Sequence, residues 1–145
     1  MKIRLFIFVA LFLTICHDSL AQQGLAVADI FSHYGHERGC KMVEMHDTDL
    51  RGYELKTYQS LTYRTQGEQI ATMLEADRKK ARKIREIVSD GRVASGYYIL
   101  PPTAEGQNRY VLYTQKADKS GAVIYIEGAL GPDDILRICY QRRTK

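Results

Sequence analysis

The order of apolar and polar positions along the chain predicts three helices. Apolar residues recur at helical spacing over residues 24–35, and the segment GPDDILRICY opens with Pro132, which suits the first turn of a closing helix. Between these two segments, the sequence TQGE sets Thr65 and Glu68 at the spacing of a capping box. An apolar stripe follows as far as a glycine, so the pattern predicts one long helix over residues 66–89.

Alternating segments between these helices predict β-strands. CKMVEMH and YELKTYQSLTYR precede the long helix, and SGYYIL, NRYVLYTQK and GAVIYIEGA follow it. Short polar connections favour antiparallel pairing. We therefore expect an α+β fold in the order α-β-β-α-β-β-β-α, with about five strands in a single antiparallel sheet and the helices packed on one face. The other face would be open to solvent or to a partner.

The first residues have the build of a secretory signal peptide. In MKIRLFIFVALFLTICHDSLA, Lys2 and Arg4 precede an apolar run that ends in a small-residue exit at Ala21. That run is shorter than the roughly 20 apolar residues of a membrane-spanning helix, and no later stretch is as long. The sequence predicts a signal peptide over residues 1–21, cleaved near Ala21, and a single α+β domain over residues 22–145. The domain would lie in the periplasm or be secreted, with no transmembrane segment.

The formal net charge is +4, and the positive charge is concentrated in the segment DRKKARKIRE. Such a cluster raises the question of a nucleic-acid site. Acidic residues are interleaved with the basic ones, however, and Glu75 and Lys79 have the four-residue spacing of a helical ion pair. We expect a solvated helix face, with Asp77 tipped toward solvent, and no nucleic-acid partner.

The aromatic composition is unusual, with ten tyrosines and no tryptophan. Most of the tyrosines fall in or beside predicted strands. A sheet face that carries phenol rings offers apolar area with a polar tip, so Tyr58, Tyr98 and Tyr113 are candidates for facing a protein, peptide or glycan of the cell envelope. The structural alternative is that tyrosine is simply a favourable strand residue.

Motifs that carry catalysis are absent from the sequence. It contains no GxSxG, HExxH, P-loop, GxGxxG or CxxC pattern, so it nominates no catalytic residue and no cofactor. We expect an exported, non-catalytic binding or interaction module of the cell envelope. The alternative is a small secreted hydrolase that uses a histidine and a carboxylate.

The stretch SHYGHERGC brings His33, His36 and Cys40 close together in sequence, with His46 a few residues further on. Imidazole and thiolate are zinc ligands, but the spacing is irregular and glycines weaken the helix that would hold the set. We expect no metal site and histidines at the surface, at a fraying helix end.

Removal of the signal peptide would leave Cys40 and Cys139 as the only cysteines. An even pair in an exported protein is a candidate disulfide. Such a bridge requires Cα atoms within about 7 Å, a distance that a sequence does not supply. Two alternatives remain open, namely two free buried thiols and metal ligation.

The helix GLAVADIFSHYGHERG and the ending RYVLYTQKADKSGAVIYIEGALGPDDILRI resemble those of a family of small exported proteins from Gram-negative gut bacteria, catalogued as domains of unknown function. The likeness spans most of residues 24–140 and rests on pattern, without a chemical motif. It implies an α+β sandwich of one sheet and its helices. It implies no activity and no functional residue.

Overall fold

A computed structural model describes residues 24–140, apart from the side chain of Tyr140. Six strands form one antiparallel sheet in the order β1-β2-β6-β5-β4-β3. The nine elements are α1 (Ala26–Tyr34), β1 (Lys41–Leu50), β2 (Tyr53–Tyr63), α2 (Gly67–Lys80), β3 (Arg82–Ser89), β4 (Arg92–Leu100), β5 (Asn108–Gln115), β6 (Gly121–Gly128) and α3 (Pro132–Tyr140). The α+β class with a single antiparallel sheet is confirmed.

The prediction of a long helix over residues 66–89 is wrong in its second half. The helix ends at Lys80, and the segment RKIREIVS forms β3, so the sheet has six strands instead of five. Asp90 and Gly91 both have positive φ, at 52° and 72°. This is the backbone that a type I′ hairpin turn requires. Gly91, which the sequence pattern predicts as the end of the long helix, therefore belongs to the turn between β3 and β4.

One face of the sheet, which we call the α1–α2 face, is covered by the first two helices. Val27, Ile30 and Phe31 of α1 and Ile70 and Leu74 of α2 are at most 4% exposed. They pack in one cluster against residues of the central strands. The strand residues of this cluster are Leu61, Tyr63, Leu100, Val111, Tyr113, Val123 and Tyr125.

The opposite face, the α3 face, carries the closing helix, so the prediction that the helices share one face is wrong. Ile135 of α3 is fully buried and belongs to a second apolar cluster with Leu55, Tyr110, Leu112 and Ile126. Because strand side chains alternate, Tyr110 and Val111 point to opposite faces and serve different clusters. The face that the sequence left open is thus partly covered.

The apolar pattern of the sequence predicts a core made of Ile30, Phe31, Leu74, Ile84, Val88, Val111, Ile124, Ile126 and Ile135, and this prediction is correct at most positions. Ile30, Phe31, Leu74, Val111, Ile126 and Ile135 are buried. Ile84 and Ile124 are half-buried on the α3 face. Val88 is 60% exposed, because it lies on the edge strand β3 and not on a core helix.

Candidate functional site

A groove runs between α2 and the β3–β4 hairpin on the α1–α2 face. It consists of two cavities, of about 350 Å³ and about 610 Å³. Glu75 and Arg78 line both cavities, which therefore adjoin each other along α2. We call this feature the α2–hairpin groove; its combined size is in the range of small-ligand and peptide sites.

Arg78 is fixed in this groove by Tyr98 and Glu86. Its Nε donates to the Tyr98 hydroxyl oxygen at 3.1 Å, and its Nη2 donates to Glu86 Oε2 at 3.0 Å. The Tyr98 hydroxyl in turn donates to the same Glu86 oxygen at 2.5 Å. The guanidinium carbon also lies 5.6 Å from the centre of the Tyr98 ring, within the range of a cation–π contact. The three side chains form a closed ring of hydrogen bonds.

The ionisation of this ring follows from the contacts. The hydrogen bond from Tyr98 holds the pKa of the Glu86 carboxyl below its ordinary value against the opposing effect of burial, and Lys83 and Arg78 lower it further. Burial, followed by the bond to Glu86, raises the pKa of the Tyr98 hydroxyl. At neutral pH, Glu86 is therefore a carboxylate and Tyr98 a neutral hydrogen-bond donor.

The larger cavity has an apolar wall. Ala71 from α2 and Val93 from β4 line it and are half-buried, whereas Leu74 and Tyr113, which also line it, are only 1% and 2% exposed. The Tyr113 hydroxyl donates to Gln115 Oε1, so its polar end is already satisfied. This part of the groove can hold an apolar side chain, while the Arg78 end can hold an anion.

Charged residues of both signs border the groove. Lys79 and Lys83 line the smaller cavity and Arg92 lines the larger one. Glu68 on the rim is paired with Lys119 at 3.0 Å. Glu75 borders both cavities and has no ion-pair partner within residues 24–140.

The structure brings two of the three candidate tyrosines together and separates the third. Tyr98 and Tyr113 both line the α2–hairpin groove, but they are only 3% and 2% exposed. Tyr58 lies on the other side of the sheet, where it packs half-buried against the α3-face cluster. The three rings therefore do not form a common face.

The histidines of SHYGHERGC lie at the surface. His33 and His36 are exposed, and His33 makes an edge contact with the Tyr34 ring at 4.6 Å between centroids. Within the described part of the chain, no group of three His, Cys, Asp or Glu side chains is placed to hold a metal ion.

The structure does not join Cys40 to Cys139. Neither forms a disulfide within residues 24–140. Cys40 packs against the cluster of the α1–α2 face, and Cys139 packs against the cluster of the α3 face beside Tyr97. Burial raises the pKa of the Cys40 thiol, and the nearby Glu37 adds to the effect. The sheet lies between these two clusters and therefore separates the two cysteines.

One histidine–carboxylate pair occurs on the edge strand β1. His46 Nε2 lies 2.6 Å from Glu44 Oε1, and His46 Nδ1 lies 3.4 Å from the Thr57 hydroxyl. Both side chains are about half exposed, at 57% for His46 and 44% for Glu44. This pair borders neither cavity of the α2–hairpin groove.

Sequence reasoning missed the ring of Arg78, Tyr98 and Glu86 because it placed Arg78 and Glu86 on one helix. The Asp90–Gly91 dipeptide was the available signal, since Asp-Gly between two strands favours a type I′ turn. With the chain turning there, Glu86 lies on β3 across from β4, and its contact with Tyr98 follows from strand pairing.

None of the described helices is long and apolar enough to cross a membrane.

Fold and site together define a small α+β protein with one six-stranded antiparallel sheet and an open, arginine-bearing groove. A family model described as a family of unknown function, DUF6108, matches residues 13–139. The chain belongs to this family, which confirms the resemblance to a domain of unknown function. No curated protein and no solved structure matches the chain.

Proposed function

We propose that this protein is an exported, non-catalytic binding module of the cell envelope whose ligand occupies the α2–hairpin groove. The observation that carries the proposal is the fixed guanidinium of Arg78 at the junction of the two cavities. A donor that is held in place before binding loses little conformational entropy on binding. The neighbouring apolar wall gives the groove a second kind of contact.

A non-catalytic role is supported by the chemistry of the groove. Glu86 is ionised and engaged by three donors, so it is a poor base for a substrate proton. Tyr98 has a raised pKa and donates its proton to Glu86. The groove thus offers hydrogen bonding and charge, and the acid and the hydroxyl that hold Arg78 are already engaged with each other.

Site-specific photocrosslinking tests the use of the groove. A benzoylphenylalanine at Thr72, an exposed residue that lines the larger cavity, should yield a defined adduct with a component of the cell envelope. The same probe at Asp133, exposed on α3, is the matched control. The adduct should be absent at Asp133. Equal adducts at both positions, or no adduct at Thr72, would contradict the proposal.

Export is the second part of the proposal, and the features that support it are Lys2, Arg4, the apolar run and the exit at Ala21. These residues lie outside the described part of the chain. Mass spectrometry of protein from the producing cells should give an N-terminus at or near Gln22. A mass that includes residues 1–21 would exclude cleavage there.

The hydrolase alternative is favoured by one observation, the contacts of His46 with Glu44 and Thr57. A histidine between a carboxylate and a hydroxyl is the arrangement of a hydrolytic triad. A carboxylate–histidine pair in open solvent, however, is screened and weakly oriented. Hydrolysis of p-nitrophenyl acetate that is lost in His46→Gln would support the hydrolase. A binding module would keep its Thr72 adduct in that variant.

A further inference from the structure

We infer that the α2–hairpin groove binds an extended acidic peptide segment, with a carboxylate of the ligand on Arg78 and an apolar side chain against Ala71 and Val93. This inference rests on the proposed function and names the ligand class of the same groove.

Arg78 supplies the donors for the carboxylate. A guanidinium carries five N–H groups, and two of those of Arg78 are used within the described residues, one by Tyr98 and one by Glu86. The remaining N–H groups belong to a side chain that is 29% exposed and borders both cavities. Guanidinium and carboxylate match in shape, and such charge-assisted bonds are about twice as strong as neutral ones.

The charges around the groove favour an anion. The lining cations are Arg78, Lys79, Lys83 and Arg92. Of the lining carboxylates, Glu86 is held by Arg78 and Lys83, and Glu68 is held by Lys119. Lys79 and Arg92 have no ion-pair partner in the described part of the chain and flank Arg78 on either side along the groove.

Glu75 is the carboxylate that opposes this choice. It borders both cavities beside Arg78 and would repel a carboxylate of the ligand. Its position provides an internal test, because removal of its charge should strengthen the binding of an acidic ligand and leave that of a neutral ligand unchanged.

The dimensions fit a short extended peptide. The lining residues of α2 run from Glu68 to Lys79. At a rise of about 1.5 Å per residue this segment is about 17 Å long. An extended chain advances roughly 3.3 Å per residue, so about five residues of a ligand span the groove.

A glycan fits these walls less well. Sugar rings pack on the exposed faces of aromatic side chains, which offer apolar area. The two aromatic rings of this groove, Tyr98 and Tyr113, are 3% and 2% exposed, so their faces are already covered by protein. The groove offers a cation and an aliphatic wall, which match the side chains of a peptide.

Two pairs of blocked tripeptides test the inference. The probes are acetyl-Leu-Gly-Asp-amide and acetyl-Asp-Gly-Leu-amide, each compared with its Asn counterpart by NMR titration of the exported domain. We expect at least one Asp peptide to shift the amide signals of α2 and β4 and to bind about tenfold or more tightly than its Asn counterpart.

Equal binding of Asp and Asn peptides would overturn the carboxylate assignment while leaving a peptide groove. Absence of binding by all four would overturn the peptide class. Tighter binding of tri-galacturonic acid than of any Asp peptide would also overturn it, in favour of an acidic glycan.

Four variants locate the bound carboxylate. Arg78→Gln should abolish the preference for Asp over Asn peptides. Arg92→Gln leaves the Arg78–Tyr98–Glu86 ring intact and should weaken the binding of Asp peptides severalfold. It therefore tests the inference even if Arg78→Gln does not fold. Glu75→Gln should strengthen Asp binding severalfold. Arg137→Gln, on the exposed side of α3, is the control and should change nothing. If Arg92→Gln and Glu75→Gln both leave the Asp affinity unchanged, the acid does not bind in this groove. The proposed function fails separately, when the Thr72 probe gives no adduct or the Asp133 probe gives an equal one.

Discussion

Asp77 Oδ2 on α2 accepts a hydrogen bond of 2.8 Å from the backbone N–H of Val27, fifty residues earlier in the chain. Its other carboxylate oxygen accepts the N–H of Ala26 at the same distance. Leu25, the residue before α1, provides no side-chain cap. Asp77 therefore caps the N-terminus of α1, a role that usually belongs to a Ser or Asp next to the helix in sequence. Its carboxylate also lies at the positive end of the helix dipole.

The first prediction follows from this cap. Asp77→Ala should lower the free energy of unfolding by about 2 kcal/mol, because the buried N–H of Val27 and the part-buried N–H of Ala26 lose their acceptor. Asp77→Asn keeps one acceptor oxygen and should cost less. Urea denaturation measures both effects, with Asp29→Ala, an exposed residue in the first turn of α1, as the control. If Asp77→Ala unfolds at the wild-type urea concentration, the cap does not contribute to stability.

A second prediction tests whether residues 82–89 form the strand β3 or the second half of the helix that their apolar spacing predicts. Leu74 is 1% exposed and Val88 is 60% exposed. Leu74→Asp should unfold the protein, because a charge would be buried without a partner. Val88→Glu should change the free energy of unfolding by no more than about 1 kcal/mol. On a helix over residues 66–89, both residues would face the core and both substitutions would unfold the protein. Circular dichroism melts of the two variants decide between these structures.

The sequence predicted the elements with clear local signals. The first and last helices, the class of fold and the antiparallel pairing follow from periodicity and from short turns. Residues 82–89 could not be assigned by periodicity, because Ile84, Ile87 and Val88 fit both a helical stripe and a strand that contains a β-bulge. The Asp90–Gly91 dipeptide is the stronger local signal, but a glycine also fits the end of a helix, which is why the pattern predicts a helix up to this point.

Other features depend on contacts between distant segments. Ile135 packs against Tyr110 and Ile126, and this packing decides which face of the sheet α3 covers. No local sequence pattern encodes that choice. Asp77 appeared at the edge of an apolar stripe and was expected in solvent, but it is 2% exposed because α1 lies over it. Tyr98 and Tyr113, two of the three candidate tyrosines, line the groove, whereas Arg78, which the sequence predicts on a solvated helix face, is held inside it by Tyr98 and Glu86.

The two cysteines give a third prediction. A form that begins at Gln22 and is denatured without reductant should show two titratable thiols, because Cys40 and Cys139 form no disulfide and pack in clusters on opposite faces of the sheet. In the folded protein, Cys40 should react slowly with iodoacetamide near pH 8, since burial raises its pKa and only the thiolate reacts. A denatured sample without free thiols would instead require a bridge and a different packing of α3.

The last prediction concerns acid. The pKa of Glu86 is lowered in the folded protein, so its ionised form stabilises the fold above its ordinary value of about 4.5. That contribution is lost as the pH falls from 4.5 through the lowered folded value, because the folded state then has to take up a proton that weakens its bonds to Tyr98, Lys83 and Arg78. Glu86→Gln should therefore be less stable than the wild type at pH 7, and the difference should shrink between pH 5 and pH 3.

Urea denaturation at each pH measures this difference, and Glu105→Gln, at an exposed loop position, provides the control. The control should follow the wild type across the whole range, because no ion pair within residues 24–140 involves Glu105. A difference between Glu86→Gln and the wild type that stays constant from pH 7 to pH 3 would mean that Glu86 stabilises the fold through its shape and not through its charge. The same result would remove the electrostatic reason for the fixed position of Arg78 in the groove.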